Sequence, residues 1–249
     1  MATLEARGLH LRFGDRVVLE DISLLFPDRQ FTGIMGPNGA GKTTSFNVLT
    51  GRYRPHRGQV LLDGADITGL PPRAIARKGV SRSFQIMNLF NDFSALDNVA
   101  LAVPETRARG FSLLGSARKD SVGTEKAEQV LARVGLRGKE QVAAKNLSYG
   151  DRRALEIGVA LAANPGVLCL DEPTSGLGRE ATARLADLVR GLRGTLTIVA
   201  IEHDMEFLFG LADSIAVIHW GQVIARGTPA ELRENPWVKN SNLGKLKAR

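Results

Sequence analysis

The sequence predicts an α/β domain with a mainly parallel core sheet, on three observations. Two apolar runs, "VLCL" (167–170) and "LTIVAI" (196–201), are continuous rather than alternating, as in parallel strands that are buried on both faces. The segment between them, "EATARLADLVRGLRG" (180–194), is typical of a crossover helix. Because parallel strands need such a crossover, the order strand, helix, strand indicates one sheet with helices packed on its faces.

The N-terminal segments predict a smaller antiparallel β subdomain. Residues 2–13, "ATLEARGLHLRF", alternate apolar and polar side chains, as a half-buried strand does. A similar pattern continues over 14–26 after a Gly-Asp turn, and 58–67, "GQVLLDGADI", predicts a further hairpin with Asp63-Gly64 as its turn.

A helical region is predicted after this β-rich part. Residues 88–103, "NLFNDFSALDNVALAV", favour a helix with Ser94 as its N-cap. The polar stretch 104–124 is too irregular to form one element, and "EKAEQVLARVGL" (125–136) then predicts a helix with one apolar face that ends at Gly135.

These segments suggest one domain, 1–249, with an insertion. Residues 1–87 and 146–249 are expected to form the core together with the antiparallel β subdomain, and 88–145 a helical subdomain. The return to the core is predicted to be a helix that is N-capped by Ser148 and ends before Pro165.

Composition narrows the class of protein. Apolar residues make up 43% and charged residues 24% of the 249 residues, as in soluble globular proteins. The single cysteine, Cys169, excludes an internal disulfide and is expected in the core. No signal peptide is predicted, and no window approaches the roughly 18 apolar residues that span a bilayer. These features favour a cytosolic or peripheral protein.

The net charge of +7 leaves two interpretations open. The basic residues are scattered with mild clusters, which is typical of an ordinary solvated surface and also compatible with attraction to anionic lipid or a membrane partner. Aromatic residues do not interleave with them at stacking intervals, so no nucleic-acid partner is expected.

The stretch "GPNGAGKTT" (36–44) carries the first chemical prediction. It matches the phosphate-loop pattern G-x-x-x-x-G-K-[ST], and it follows a predicted short central strand, "QFTGIM", and precedes a predicted helix over 42–50. Glycines let backbone N–H groups turn toward phosphate oxygens, and the helix N-terminus adds its positive end. The predicted nucleotide-binding residues of the loop are Gly36, Pro37, Asn38, Gly39, Ala40, Gly41, Lys42, Thr43 and Thr44.

Side chains of this loop have distinct predicted roles. Lys42 is expected to reach the β- and γ-phosphates, the Thr43 hydroxyl to ligate Mg²⁺, and Thr44 to hold α-phosphate oxygens. At the end of "VLCL", Asp171 can hold Mg²⁺, mostly through water, and Glu172 can polarise an attacking water.

Two more sites are suggested at element ends. In "NLSYGDRR", Ser148 and Gly150 start a helix whose N-terminus suits an anion, although a plain capping motif explains the same residues. His203 ends the run "LTIVAIEH", where a neutral imidazole can contact a γ-phosphate.

The order of these motifs along the chain, phosphate loop, "SFQ", "LSYGD", "LCLDEP", "SGLG" and "EHD", resembles the ATP-binding subunits of ATP-binding-cassette (ABC) transporters over essentially the whole chain. The resemblance implies the P-loop NTPase fold of ABC ATPases, with ATP and Mg²⁺ as cofactors. It implies that Phe13 stacks on adenine and that Gln85 contacts Mg²⁺ and water and senses the transmembrane partner.

The same resemblance implies ATP hydrolysis within a dimer. Ser148 and Gly150 would bind the γ-phosphate of ATP held by a second ABC ATPase subunit, in a homo- or heterodimer, while Glu172 would act as catalytic base and His203 as switch. ATP would favour the closed dimer and hydrolysis would let it open, so that membrane permeases move.

Three residues depart from the family pattern. Tyr149 and Asp151 stand where glycine and glutamine are common, and Gly178 replaces the usual aspartate of the D-loop. ATP binding is expected to survive, whereas Gly178 removes a carboxylate that links the two sites.

Longer stretches are similar to ATPases of branched-chain amino acid importers of the LivG type. They are "GVSRSFQIMNLFNDFSALDNV", "LSYGDRRALEIGVALAANP", "IEHDM" and the C-terminal "GTPAELRENPWVKNSNLG". The similarity implies permease partners and, indirectly, a solute-binding protein. It also implies a peripheral position on the cytoplasmic face of the inner membrane. The alternatives are ATPases of urea or amide importers, lipopolysaccharide exporters, soluble ABC ATPases acting on DNA or ribosomes, and a small-metabolite P-loop kinase.

Overall fold

Two β-sheets with helices packed against them form the part of the chain described by the computed structural model, which is residues 1–83, 89–104, 121–236 and 238. The strands are β1 Leu4–Phe13, β2 Arg16–Phe26, β3 Phe31–Met35, β4 Arg57–Leu62, β5 Ala65–Asp66, β6 Val80–Ser83, β7 Val167–Asp171, β8 Thr197–Ile201, β9 Ser214–His219 and β10 Gln222–Gly227. The helices are α1 Lys42–Leu49, α2 Pro72–Arg77, α3 Ala95–Ala100, α4 Ser121–Arg133, α5 Tyr149–Ala162, α6 Arg179–Leu192, α7 Met205–Leu211 and α8 Pro229–Glu234.

The larger sheet has the strand order β10-β9-β3-β8-β7-β6. Its pairs are parallel except for the β9–β10 hairpin, which confirms the prediction of a mainly parallel sheet with a central strand before the glycine loop. Asp171 of β7 pairs with Ile201 of β8, so both strands end at the same level. The loops after β3, β7 and β8 therefore meet at one edge, where open α/β sheets bind ligands.

The parallel sheet separates two apolar cores. Along β8, Ile198 and Ala200 point into the core formed with the helices, whereas Val199 and Ile201 point into the core shared with α1 and the smaller sheet. This division follows from the alternation of side chains along a strand, and it explains why the run is apolar without a break. Cys169 belongs to the second core, where burial raises the pKa of its thiol to about 12.

The smaller sheet is antiparallel with the order β2-β1-β4-β5. The predicted hairpin turn is confirmed, since Asp63 and Gly64 both have positive φ, 51° and 80°. Two central residues with positive φ match the twist of the flanking strands, and the second of them suits glycine.

Helices α3, α4 and α5 pack together on the helical side. Ser94 caps α3 as predicted, by accepting a hydrogen bond from the Asp97 N–H at 3.0 Å. The predicted start of α4 was wrong: the helix begins at Ser121 rather than at residue 125, because its first turn contains a serine and a glycine that suggest a loop. Residues 105–120 of the polar stretch lie outside the described part, and the 88–145 subdomain boundaries stay a prediction.

Across the described ranges, no helix combines the length and the apolar character needed to cross a bilayer.

Replacing Ile198 by alanine tests the two-sided burial of β8. Ile198 is fully buried, so we expect Ile198→Ala to lower the free energy of unfolding by about 2–5 kcal/mol. The matched control is Ile224→Ala in β10, where the side chain is 39% exposed and the expected loss stays below about 1 kcal/mol. Urea unfolding of both variants measures the difference, and equal losses would contradict this account of the core.

Candidate active site

A single cavity of about 390 Å³ lies at the carboxyl edge of the parallel sheet. Four sequence-predicted parts of the site meet there: Phe13, the phosphate loop, Glu172 and His203. The remaining lining residues are Arg16 and Val18 of β2. The structure thus assembles these distant segments as the topology requires, because the loops after β3, β7 and β8 share one edge.

The phosphate loop needs glycine at its two fixed positions. Gly36 has φ 153°, and a Cβ there would lie 2.0 Å from the carbonyl oxygen of Ile218. Gly41, the residue before α1, has φ 102° and lies close to the carbonyl of Val18. Side chains at either position would push the loop away from β2 and β9. The loop conformation therefore depends on both glycines of the motif.

The turn between β9 and β10 holds the loop in place. The Gly221 N–H donates to the Ala40 carbonyl at 2.9 Å, and the Gly221 carbonyl accepts from the Glu20 N–H at 2.8 Å. This turn joins the middle of the phosphate loop to β2, so the antiparallel sheet and the loop form one unit.

Lys42 lies within the loop with its ammonium turned toward main-chain oxygens. Its Nζ donates to the carbonyls of Gly36 at 2.8 Å and Pro37 at 2.9 Å, and the residue is 5% exposed. Burial lowers the pKa of the ammonium, and the carboxylates of Glu172 and Asp171 oppose this shift. A desolvated cation held at the centre of the loop is suited to an anionic ligand, since its charge is little screened by water.

Asp171 is buried at the tip of β7 and forms an ion pair with Arg82 of β6. Arg82 also donates to the side-chain oxygen of Asn47 in α1 at 2.7 Å. Arg82 therefore connects α1 with β7. The second carboxylate oxygen of Asp171, Oδ1, is buried without a hydrogen-bond partner among the described residues. A buried carboxylate oxygen without a hydrogen-bond partner can ligate a metal ion or accept a hydrogen bond from a metal-bound water, so this residue fits Mg²⁺.

Glu172 directly follows Asp171 and has a positive φ of 46°, which is uncommon for a residue other than glycine. Its Oε1 lies 3.3 Å from Nε2 of His203. The two predicted catalytic side chains are thus neighbours, with the carboxylate less exposed (18%) than the imidazole (40%).

The buried carboxylate of Glu202 holds both of these segments. Its Oε1 accepts the Thr174 N–H at 2.6 Å, and its Oε2 accepts the His203 N–H at 2.9 Å and that of Asp204 at 3.3 Å. Burial raises the pKa of Glu202, and the hydrogen bonds oppose the shift. Glu202 thereby fixes the backbone on each side of the Glu172–His203 contact.

Arg153 of α5 reaches the same edge from the helical side. This side chain, 2% exposed, donates to the carbonyls of Pro173 at 3.1 Å and Glu172 at 2.6 Å and pairs with Glu156 at 2.7 Å. The helix that Ser148 caps, α5, is therefore connected through one guanidinium to the main chain at Glu172.

Ser148 and Gly150 lie apart from the cavity that contains the phosphate loop. Ser148 caps α5 by accepting the Asp151 N–H at 3.1 Å, and Gly150 lines a second cavity of about 350 Å³ between α4, α5 and α6. The Asp151 carboxylate accepts both the Ser148 hydroxyl and the Lys139 ammonium at 2.7 Å. Burial raises the pKa of Asp151, but these hydrogen bonds and nearby positive charge outweigh it and leave the pKa lowered.

The chain matches the sequence profile of the ABC transporter family over residues 19–175, well over half of its length. The chain belongs to the ABC transporter family. The prediction of an ABC ATPase fold, with ATP as the nucleotide, is thereby confirmed.

Two curated relatives and one solved structure illustrate the likeness. The high-affinity branched-chain amino acid transport ATP-binding protein LivG of Salmonella typhimurium is 40% identical, over 97% of each chain. The lipopolysaccharide export system ATP-binding protein LptB of Acidithiobacillus ferridurans is 35% identical, over 97% of this chain and 96% of its own. The crystal structure of the ADP conformation of MJ1267, an ATP-binding cassette of an ABC transporter, has a TM-score of 0.84 and 28% identity, over 96% of this chain and 97% of its own.

Tyr149, one of the departures from the ABC pattern, contacts the segment that leads to a second departure, Gly178. The Tyr149 hydroxyl donates to the Ser175 carbonyl at 3.2 Å, and a Cβ on Gly176 would lie 3.1 Å from that hydroxyl. Gly178 caps α6 without any side-chain hydrogen bond. Within one subunit, the signature segment therefore contacts the D-loop through a tyrosine.

Of the two remaining predicted residues, the structure describes Phe13 but not Gln85. Phe13 is 48% exposed at the mouth of the cavity and packs edge-to-face on Tyr53, with ring centroids 5.3 Å apart. Gln85 lies outside the described residues.

Glu202→Gln tests whether Glu202 positions His203, the predicted switch histidine. The amide presents N–H groups where the backbone needs an acceptor, so we expect a loss of about 1–3 kcal/mol in unfolding free energy. Misplacement of His203 should also lower ATP turnover about tenfold to a hundredfold. The matched control is Glu206→Gln on the exposed first turn of α7, which should change neither quantity. Turnover in Glu202→Gln equal to that of the control would contradict this role.

Arg153→Met tests the connection between the signature helix and Glu172. The variant keeps most of the side-chain volume but removes the charge that pairs with buried Glu156, so we expect about 3–5 kcal/mol of destabilisation. Arg190→Met, an exposed arginine paired with Asp187 in α6, serves as control and should stay within about 0.5 kcal/mol of the parent. Thermal and urea unfolding measure both, and a tolerated Arg153→Met would show that this buried contact is dispensable.

Proposed function

We propose that this chain is the ATP-hydrolysing subunit of an ABC importer for branched-chain or other hydrophobic amino acids. The observation that carries the proposal is the cavity that joins Phe13, the phosphate loop, Glu172 and His203 while Ser148 and Gly150 lie elsewhere. The solute class rests on the printed name of the LivG relative, which matches over nearly all of both chains.

ATP is expected to lie along the cavity with its base at Phe13 and its phosphates in the loop over residues 36–44. Lys42 then transfers its ammonium contacts from the loop carbonyls to the β- and γ-phosphates, because a phosphate dianion is a stronger acceptor than a peptide oxygen. The backbone N–H groups at the start of α1 and Thr44 bind the remaining oxygens.

Mg²⁺ would be held by Thr43, by Asp171 through its unsatisfied oxygen, and by Gln85. When bound, the ion supplies charge neutralisation for the β- and γ-phosphate oxygens. The Arg82 ion pair occupies Oδ2 of the same side chain, which leaves Oδ1 for the ion or its water.

Hydrolysis is assigned to the Glu172–His203 pair. Glu172 orients a water toward the γ-phosphorus and accepts its proton, and His203 contacts the γ-phosphate from the neighbouring strand end. The 3.3 Å separation of Glu172 Oε1 and His203 Nε2, together with their shared cavity with the phosphate loop, supports a joint role at one phosphoryl group.

A second ATPase subunit completes the site. Because Ser148 and Gly150 do not line the cavity with the phosphate loop, one chain cannot surround the nucleotide. Two chains packed head to tail would place the serine-capped helix of one against the γ-phosphate in the other, so that ATP favours the closed dimer.

Membrane partners follow from the same assignment. We infer that the subunit binds two permease chains at the cytoplasmic face of the inner membrane and acts indirectly with a solute-binding protein. Residues 1–87 and 146–249 form the core in this account, and the 88–145 subdomain with Gln85 passes the motion to the permeases.

Glu172→Gln tests the catalytic assignment. Removing the base while keeping the shape should lower ATP turnover about a hundredfold or more and leave ATP binding intact. Glu128→Gln on the exposed face of α4 is the matched control and should be fully active. Unchanged turnover in Glu172→Gln would exclude Glu172 as the base. ADP release without any added acceptor distinguishes hydrolysis from a kinase reaction.

A second candidate function is lipopolysaccharide export, which the 35% identity to LptB favours. Purification of the native complex from membranes separates the two. If the ATPase activity of the purified complex rises with a binding protein that carries leucine, import is supported. Stimulation by lipopolysaccharide would contradict import.

A further inference from the structure

We propose that Lys139 is a positioning residue of the signature site, which holds the Asp151 carboxylate when Ser148 turns its hydroxyl proton to a γ-phosphate. The inference deepens the proposed function and rests on it. It concerns the position at which this chain carries an aspartate in place of the family's usual glutamine.

Three polar groups meet in one cluster at the start of α5. The Ser148 hydroxyl and the Lys139 ammonium both donate to Oδ2 of Asp151 at 2.7 Å. In return the Asp151 N–H donates to Ser148 Oγ at 3.1 Å. A serine hydroxyl has only one proton, and here the Asp151 carboxylate accepts it.

This arrangement conflicts with phosphate binding unless it changes. A γ-phosphate needs the same hydroxyl proton, and it would bring a second anion beside the Asp151 carboxylate. Like charges in contact at an interface are costly, whereas the neutral glutamine of the common signature adds no such repulsion. An aspartate at this position therefore requires a compensating cation.

Lys139 meets that requirement without movement of the backbone. The cap bond from Asp151 N–H uses a lone pair of Ser148 Oγ, so the hydroxyl proton can rotate to a phosphate while the cap persists. Asp151 then loses one donor but keeps the ammonium. The backbone of Lys139 is fixed by two hydrogen bonds. Its N–H donates to the Leu136 carbonyl at 3.1 Å, and its carbonyl accepts from the Val142 N–H at 3.0 Å.

The other nearby cation is less suited to this role. Arg184 of α6 lies beside Gly150, but its guanidinium pairs with Glu180 at 2.6 Å on the exposed side of the helix. Its charge is thus partly balanced there, whereas the Lys139 ammonium contacts the Asp151 carboxylate directly.

A four-variant series tests the proposal by ATP-dependent dimerisation. In the Glu172→Gln full-length chain, sedimentation at a range of Mg-ATP concentrations gives the ATP concentration for half-maximal dimer. Lys139→Met should raise that concentration about fivefold to tenfold, because each dimer contains two such sites. Lys139→Arg should restore the parent value, and higher salt should reduce the penalty.

The decisive comparison removes the aspartate. In the Asp151→Gln chain, adding Lys139→Met should have no effect, since there is no carboxylate left to compensate. A lysine that affects dimerisation through any group other than Asp151 would instead cost the same in both backgrounds. Melting temperatures of all variants, expected within a few degrees of the parent, exclude unfolding as the cause.

Two outcomes overturn different statements. If Lys139→Met dimerises like the parent, or loses as much in the Asp151→Gln chain, the role of Lys139 is wrong while the clamp stands. If the parent Glu172→Gln chain forms no dimer at any ATP concentration, the clamp between two copies of this chain fails, and this inference, which concerns that homodimer, fails with it.

Discussion

Charge buried at the end of a parallel sheet is the constraint on which this site depends. A buried ionised group is tolerated only when its hydrogen bonds and charge partners are supplied by the protein. Glu202 and Arg153 satisfy that requirement with main-chain groups of the loops after β7 and β8. If these loops moved, the buried Glu202 or Arg153 would lose its hydrogen-bond partners. Glu172 and His203 are therefore held next to each other.

The same contacts connect the two halves of the proposed ATP clamp. Arg153 lies one turn into α5, the helix that Ser148 caps, and its guanidinium binds the carbonyls beside Glu172. On the other side of β7, Arg82 pairs with Asp171 and binds α1 through Asn47. A displacement of α5 by a partner subunit would therefore be transmitted to the catalytic loop through rigid, buried groups. Tyr149 adds a contact from the signature to the D-loop, where Gly178 has no side chain to make one.

Sequence patterns predicted the parts whose signals are local. The glycine loop, the apolar run ending in Asp171 and Glu172, and the Ser148 cap each depend on neighbouring residues, and the structure places them at the expected element ends. Strand β6 was outside the predictions because its four residues include polar side chains and are too few for a periodic pattern.

The buried charges were missed for a different reason. Charged residues in an amphipathic helix are normally solvated, and nothing in one sequence shows which carbonyls they will meet. A partial signal exists for Arg153, since it is four residues before Ile157 and seven before Ala160, both buried in the helical core. Glu202 directly follows an apolar run, which indicates a strand end but not that its oxygens bind two separate loops. The Lys139–Asp151 contact joins residues twelve positions apart across a turn, so only the fold places them together.

The most direct test of the clamp is a structure of the Glu172→Gln chain with ATP and Mg²⁺. The account predicts the triphosphate in the loop after β3, with the Lys42 ammonium moved from the Gly36 and Pro37 carbonyls to the phosphates and a partner serine at the γ-phosphate. Nucleotide bound elsewhere, with Lys42 still on those carbonyls, would contradict it.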